Sequence, residues 1–94
     1  MRAREHLGIV LQQRRAEAGL SQEEMAARTG FHRTYLSLLE RGLKNPSLPA
    51  LLRLAAGYDL TAAELLGRVE RRVAADPAFI AEDPQPPRPP AHER

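Results

Sequence analysis

The residues that could do chemistry are few and scattered. Three histidines, His6, His32 and His92, lie in different segments, and cysteine is absent. A zinc site needs closely spaced Cys, His or carboxylate ligands, and a phosphate loop needs clustered glycines; neither pattern occurs. Glu23 and Glu24 stand just after Ser21, where a helix start uses carboxylates for capping and for its dipole rather than for acid-base work. An enzyme is therefore not expected, no catalytic or metal-binding residue is assigned, and no cofactor is implied. What the sequence does concentrate is hydrogen-bonding and cationic groups from Arg33 onward. At about 100° per residue, Arg33, Thr34, Ser37, Leu38 and Arg41 fall within an arc of about 140°, with Tyr35, Leu36 and Leu39 opposite. One face is core, and the other presents polar groups. A helix is narrow enough to enter the major groove of B-form DNA, about 12 Å wide, where a guanidinium such as that of Arg33 can pair bidentately with guanine O6 and N7. The same group would also serve as a phosphate contact.

The scaffold that positions these groups has 94 residues, 43% of them apolar, with no Trp and only two Phe and two Tyr. That is room for one domain with a modest core. A core of Leu, Ala, Val and Ile favours packed helices, because strands prefer aromatic and β-branched side chains. Without cysteine there is no disulfide and no thiolate-held metal, so packing must hold the fold, helped by oligomerisation. No run approaches the roughly 18 apolar residues that span a bilayer, and charges interrupt Met1 to Val10 where a signal peptide needs an apolar core. A cytoplasmic protein with no membrane partner is expected. Residues 1–75 hold 12 Arg or Lys against 8 Asp or Glu, and residues 76–94 hold 2 against 4, so the net charge of +2 understates how basic the folded part is. A basic domain suits a polyanionic partner, although an Arg-rich surface also serves solubility alone.

Punctuation marks five helices. The first runs from about Ala3 to Ala18, with Leu7, Val10 and Leu11 on one stripe, and stops at Gly19. The second opens on the capping box Ser21-Gln22-Glu23-Glu24 and ends at Gly30. The third spans about Arg33 to Arg41 and stops at Gly42. After the loop Leu43-Lys44-Asn45-Pro46, Ser47 caps a fourth helix that closes near Gly57, with Pro49 in its first turn, where the missing N–H costs little. Thr61-Ala62-Ala63-Glu64 is a second capping box and begins a fifth helix reaching about Ala75. From Asp76 onward, where six of the eight prolines lie, the chain reads as an extended, disordered tail, with docking on an SH3-like partner as the alternative. The expected organisation is a domain at 3–75 and a proline-rich tail at 76–94.

Gly19-Leu20-Ser21-Gln22-Glu23-Glu24-Met25-Ala26, then Gly30, then Tyr35-Leu36-Ser37-Leu38-Leu39-Glu40-Arg41-Gly42, then Asn45-Pro46-Ser47-Leu48 resembles the Cro and phage-repressor type, or XRE-like, helix-turn-helix regulators. The resemblance covers about Leu7 to Leu66 with every element in order. It implies an all-α, five-helix, lambda-repressor-like DNA-binding domain whose helix-turn-helix occupies 21–42 and whose third helix lies in the major groove. By position it implies that Gln22 anchors a phosphate and braces the third helix. Arg33 and Thr34 would face base edges, with Ser37 and Leu38 one turn on, and Arg15 and Glu40 would form a buried ion pair between the first and third helices. Arg41, Lys44 and Asn45 follow the third helix as clamps on the DNA backbone. Two positions depart from the pattern. His32 stands at the helix cap, where Ser or Thr is commoner; an imidazole is a poorer acceptor, so His32 either touches a phosphate or is a plain, partly exposed histidine. Leu38 replaces a polar or cationic residue and either meets a thymine methyl or packs at the edge. Tyr35 is expected to bury its ring and turn its hydroxyl to a phosphate or water.

The function so implied is a sequence-specific, double-stranded DNA-binding transcriptional regulator, a repressor in the first reading, acting as a homodimer on a two-fold operator. Arg33-Thr34-Tyr35-Leu36-Ser37 followed by Glu40-Arg41 is similar to the recognition helix of restriction-modification controller proteins, a special case of that reading. An antitoxin and a protein-interaction adaptor are the rivals. No small-molecule ligand is expected, since the sequence holds no separate sensing domain. Dimerisation is expected through the fifth helix, where Leu65, Leu66, Val69 and Val73 continue an apolar stripe longer than so small a core needs. The expectation rests most on Val69 and Val73, because Leu65 and Leu66 also suit the core of a monomer.

Overall fold

The structure, a computed structural model, describes residues 1–81 and places five helices: α1 Ala3–Ala18, α2 Gln22–Thr29, α3 Arg33–Glu40, α4 Leu48–Gly57 and α5 Ala62–Ala74. Their starts are set by side chains. The Ser21 and Thr61 hydroxyls accept from the N–H groups of Glu24 and Glu64 at 3.0 Å, and those carboxylates accept from the N–H groups of Ser21 and Thr61 at 2.8 Å. Each box thus satisfies two backbone donors that a helix start leaves free. Ser47 Oγ accepts from the Ala50 N–H at 3.3 Å and opens α4. The stop that matters most for function is Gly30, whose φ of +75° turns the chain from α2 into α3 in a region that disfavours any residue with a Cβ.

Side chains from all five helices meet in one core. Leu7, Val10 and Leu11 come from α1, Met25 from α2, Leu36 and Leu39 from α3, Leu54 from α4, and Leu65 and Val69 from α5, with Tyr58 closing the α4–α5 turn. Each large apolar side chain so buried contributes roughly 1.5–3 kcal/mol. α1 packs on both α3 and α5, and α2 packs on α3 and α4. The approach of α1 to α3 is close: a Cβ on Gly8 would stand 2.6 Å from the Glu40 carbonyl oxygen and 2.7 Å from that of Leu39. α3 is therefore held from behind, and its outer face is left to solvent.

Two expectations are corrected. The chain does not leave the domain at Asp76. Asp76 Oδ2 lies 2.7 Å from His6 Nε2 on α1, and the Ile80 N–H donates to the Met1 carbonyl at 3.0 Å, making an isolated parallel bridge between Arg2 and Ile80. Polar pairing across the chain, which no local pattern announces, holds residues 76–80 against the start of α1. The rest of the expected tail, 82–94, with His92, lies outside the described residues. The second correction concerns α5. Leu65 and Val69 are 0% and 8% exposed, and Val73 packs on the same core, while Leu66 is 41% exposed. Positions 65, 69 and 73 share the stripe turned inward, and Leu66 sits about 100° away from Leu65.

Candidate nucleic-acid interface

The position of α3 is fixed by one carboxylate. Glu40, buried at the helix end, accepts from Arg15 Nε at 2.7 Å and Arg15 Nη2 at 2.8 Å. It also accepts from Gln22 Nε2 at 3.1 Å and from the Tyr58 hydroxyl at 3.4 Å. Arg15 Nη1 donates as well to the Leu20 carbonyl at 3.0 Å. Burial works against the charge on Glu40, but the Arg15 guanidinium and the Gln22 amide outweigh it and hold the carboxyl below the usual range; Glu40 in turn raises the Arg15 value. Burial, seconded by the Glu40 charge, pushes the Tyr58 phenol well up, so it stays a donor. A fork-to-fork pair with further donors satisfying the carboxylate is the geometry in which a buried charge is tolerated. Three helices and the α4–α5 turn thus meet at the base of α3.

The turn before α3 is clamped from α4. Arg53 Nε donates to the Thr29 carbonyl at 2.8 Å, and its guanidinium carbon sits 4.4 Å from the centre of the Phe31 ring. Phe31 lies in tilted contact with Tyr35, ring centres 5.1 Å apart. Tyr35 is half-buried at the edge of the core. Sequence reasoning missed both Arg53 and Tyr58. Their partners are distant in the chain, and an arginine on a leucine-rich helix or a tyrosine after a glycine gives no local sign of them.

On the outer face, His32 caps α3: Nδ1 accepts from the Thr34 N–H at 3.2 Å. The imidazole therefore does fill the role for which it was expected to be poorly suited. With Nδ1 accepting, the exposed Nε2 carries the proton of a neutral ring and points a donor outward. Arg33, Thr34 and Arg41 are exposed, and Ser37 and Leu38 half-buried. These five and His32 line a shallow cleft of about 240 Å³. The Arg33 and Arg41 guanidiniums have no hydrogen-bond or ion-pair partner among the described residues. The eight residues of α3 rise about 12 Å, so the face is short, convex beside the cleft and rich in donors. Three expected residues lie elsewhere. Gln22 is turned inward and donates to Glu40. Lys44 and Asn45 are exposed on the α3–α4 loop, where Asn45 lines a separate apolar groove with Pro46, Leu51 and Leu66. Among the described residues no group of three or more His, Asp or Glu could hold a metal, and no helix is long and apolar enough to cross a membrane.

Two short helices joined by a glycine turn, the second held from behind and bare in front, define a helix-turn-helix protein. The chain belongs to the helix-turn-helix domain family, whose family model matches residues 6–66. It is 48% identical over 52 residues to an HTH-type transcriptional regulator of Sinorhizobium fredii, covering 55% of this chain and 68% of that one. It is 40% identical over 58 residues to the control protein C.MunI of a Mycoplasma species, covering 62% and 78%. Among solved structures it is similar to the restriction-modification controller protein C.AhdI of Aeromonas hydrophila, with 39% identity, a TM-score of 0.63 and coverage of 66% of this chain and 94% of that one.

Proposed function

We propose that the protein is a sequence-specific, double-stranded DNA-binding transcriptional regulator, acting in the cytoplasm as a homodimer on a two-fold symmetric operator and without catalysis. The observation that carries this is the outer face of α3, where Arg33 and Arg41 stand without partners among the described residues beside Thr34, Ser37 and Leu38 on a helix otherwise locked into the core. In this reading α3 enters the major groove. Arg33 pairs with guanine, Thr34 and Ser37 meet base edges, and Leu38 touches a thymine methyl. Arg41, Lys44, Asn45 and the Nε2–H of His32 hold the phosphate backbone. Gln22 contributes by bracing α3 through Glu40. The dimer surface is assigned to Leu66 together with Leu48 and Leu52, which are 66% and 54% exposed.

The test is affinity for duplex fragments from the protein's own promoter over a salt series. Binding should weaken at a log-log slope of about −0.9 per phosphate contacted, with the cognate fragment retained over random duplex. Equal affinity for both at moderate salt would refute sequence-specific regulation. The similarity to two controller proteins favours, within this reading, control of a restriction-modification system. A methyltransferase gene beside its own would support that narrower role, and its absence would leave a general regulator.

A further inference from the structure

A second concave surface lies away from α3. Between α1, α5 and the 76–80 segment is a cleft of about 760 Å³ that shares no residue with the recognition-face cleft. His6, Val10 and Gln13 come to it from α1, and Arg68, Arg71 and Arg72 from α5. The three arginines fall within about 100° of arc on their helix, so they form one cationic wall.

The carboxylates at this cleft are already engaged. Glu17 pairs with Arg14 and Arg68 at 3.2 Å each. Asp76 is held by His6 Nε2 at 2.7 Å, by the Ala78 N–H at 2.9 Å and by the Met1 amino group at 3.2 Å. His6 uses its other ring nitrogen to accept from Arg72 Nε at 3.3 Å, and among the described residues the two terminal nitrogens of Arg72 are open. Arg71 and Gln13 have no hydrogen bond or ion pair among the described residues. Among the described residues, what remains unsatisfied is mostly donor: the whole Arg71 guanidinium, parts of those of Arg68 and Arg72, and the Gln13 amide, whose oxygen alone accepts. Val10 and Ala75 supply apolar lining beside them.

We infer that this cleft binds a small organic or inorganic oxyanion, a carboxylate or a phosphate, gripped by Arg71 and Arg72. A guanidinium offers paired N–H donors in the plane and spacing of two such oxygens. A few convergent polar groups over an apolar lining are the usual make-up of a small-molecule site. The sequence argued against a ligand because it shows no separate sensing domain, whereas this site lies within the domain itself and is independent of the DNA-binding reading.

The test is a titration of the isotope-labelled full chain, followed by its backbone amide resonances, with sodium phosphate and sodium benzoate as probes at ionic strength held constant by sodium chloride. Saturable shifts are expected at Gln13, Arg71 and Arg72. Arg71→Gln should weaken binding on the order of tenfold or more, as loss of a charge-assisted pair does, while Arg33→Gln leaves it unchanged. Arg71 is exposed and unpaired among the described residues, so its variant should retain the fold. Saturation by phosphate alone assigns a phosphate ligand, and saturation by benzoate a carboxylate with an apolar body. Shifts confined to α3, shifts that rise linearly for both probes, or binding indifferent to Arg71→Gln would overturn the proposal.

Discussion

Arg33 and Glu40 occupy the two ends of α3 and divide its work. Arg33, exposed and unpaired among the described residues, is the residue proposed to read a base. Arg33→Ala should cost roughly 1–3 kcal/mol of binding and relax preference at one base position, measured on a set of singly substituted operators. A uniform loss over all sequences would instead make it a phosphate contact. Glu40 does its work inside. Removing its carboxylate leaves the Arg15 guanidinium, 22% exposed, without its counter-charge and frees the Gln22 and Tyr58 donors. Glu40→Ala should therefore cost about 3 kcal/mol in chemical unfolding, with DNA affinity falling as a consequence. Gln22→Ala removes one donor of several to that carboxylate, so it should leave unfolding nearly unchanged and weaken DNA binding through a less firmly held α3. An unchanged Glu40→Ala protein would mean that the pair holds nothing. The types of these residues were readable in the sequence; the direction of the Gln22 side chain was not, because both a phosphate and Glu40 accept from an amide.

At the scale of elements, the helix starts were the most legible part of the chain, since a capping box is a local device whose two partners stand three residues apart. Helix separations were not legible, and Gly8 shows why. Nothing around Gly8 in the sequence marks it as more than a weak point in a helix. In the fold it is where the α1 and α3 backbones meet. A Cβ there would lie 2.6 Å from one α3 carbonyl oxygen and 2.7 Å from the next, and backbone cannot swing aside as a side-chain end can. In an exposed helix interior Gly→Ala would stabilise by up to about 1 kcal/mol. Here Gly8→Ala should destabilise by about 1–3 kcal/mol, as overpacking does, and tilt α3 against its Glu40 anchor. Thermal unfolding and DNA affinity should both fall; a variant more stable than the parent would show that the two helices can part without cost. The same logic explains Arg53, whose clamp on the turn joins α4 to a residue 24 positions earlier and so escapes any reading by periodicity.

At the scale of the whole molecule, acid and association test different halves of the design. Glu24, Glu40, Glu64 and Asp76 all have carboxyl values below their ordinary ones. A lowered folded value contributes stability above the unfolded value and loses it as the pH falls through the folded one, so the melting temperature should hold from neutrality to about pH 5 and drop below about pH 4. A melting temperature flat to pH 3 would contradict these pairings. Association follows from recognition. One α3 spans only a few base pairs, too few to mark a site in a genome, whereas a two-fold dimer doubles the length read and sets the two helices roughly 34 Å apart. The sequence placed the interface on an α5 stripe, but packing uses Leu65 and Val69 within one chain. Among the large apolar side chains left exposed are Leu66, which shares a groove of about 170 Å³ with Leu51 and Pro46, and Leu48 and Leu52 of α4. In the proposed dimer these leucines are the surface that the partner covers. Leu52→Asp, at a site 54% exposed, should leave the melting temperature of the monomer fold intact, shift sedimentation at micromolar concentration from dimer to monomer, and reduce operator affinity. Val69→Asp, which puts a charge in the core, should unfold the chain instead. A dimer that survives both Leu52→Asp and Leu66→Asp would place the interface on another face, and a parent protein that stays monomeric with operator DNA would remove the dimer altogether.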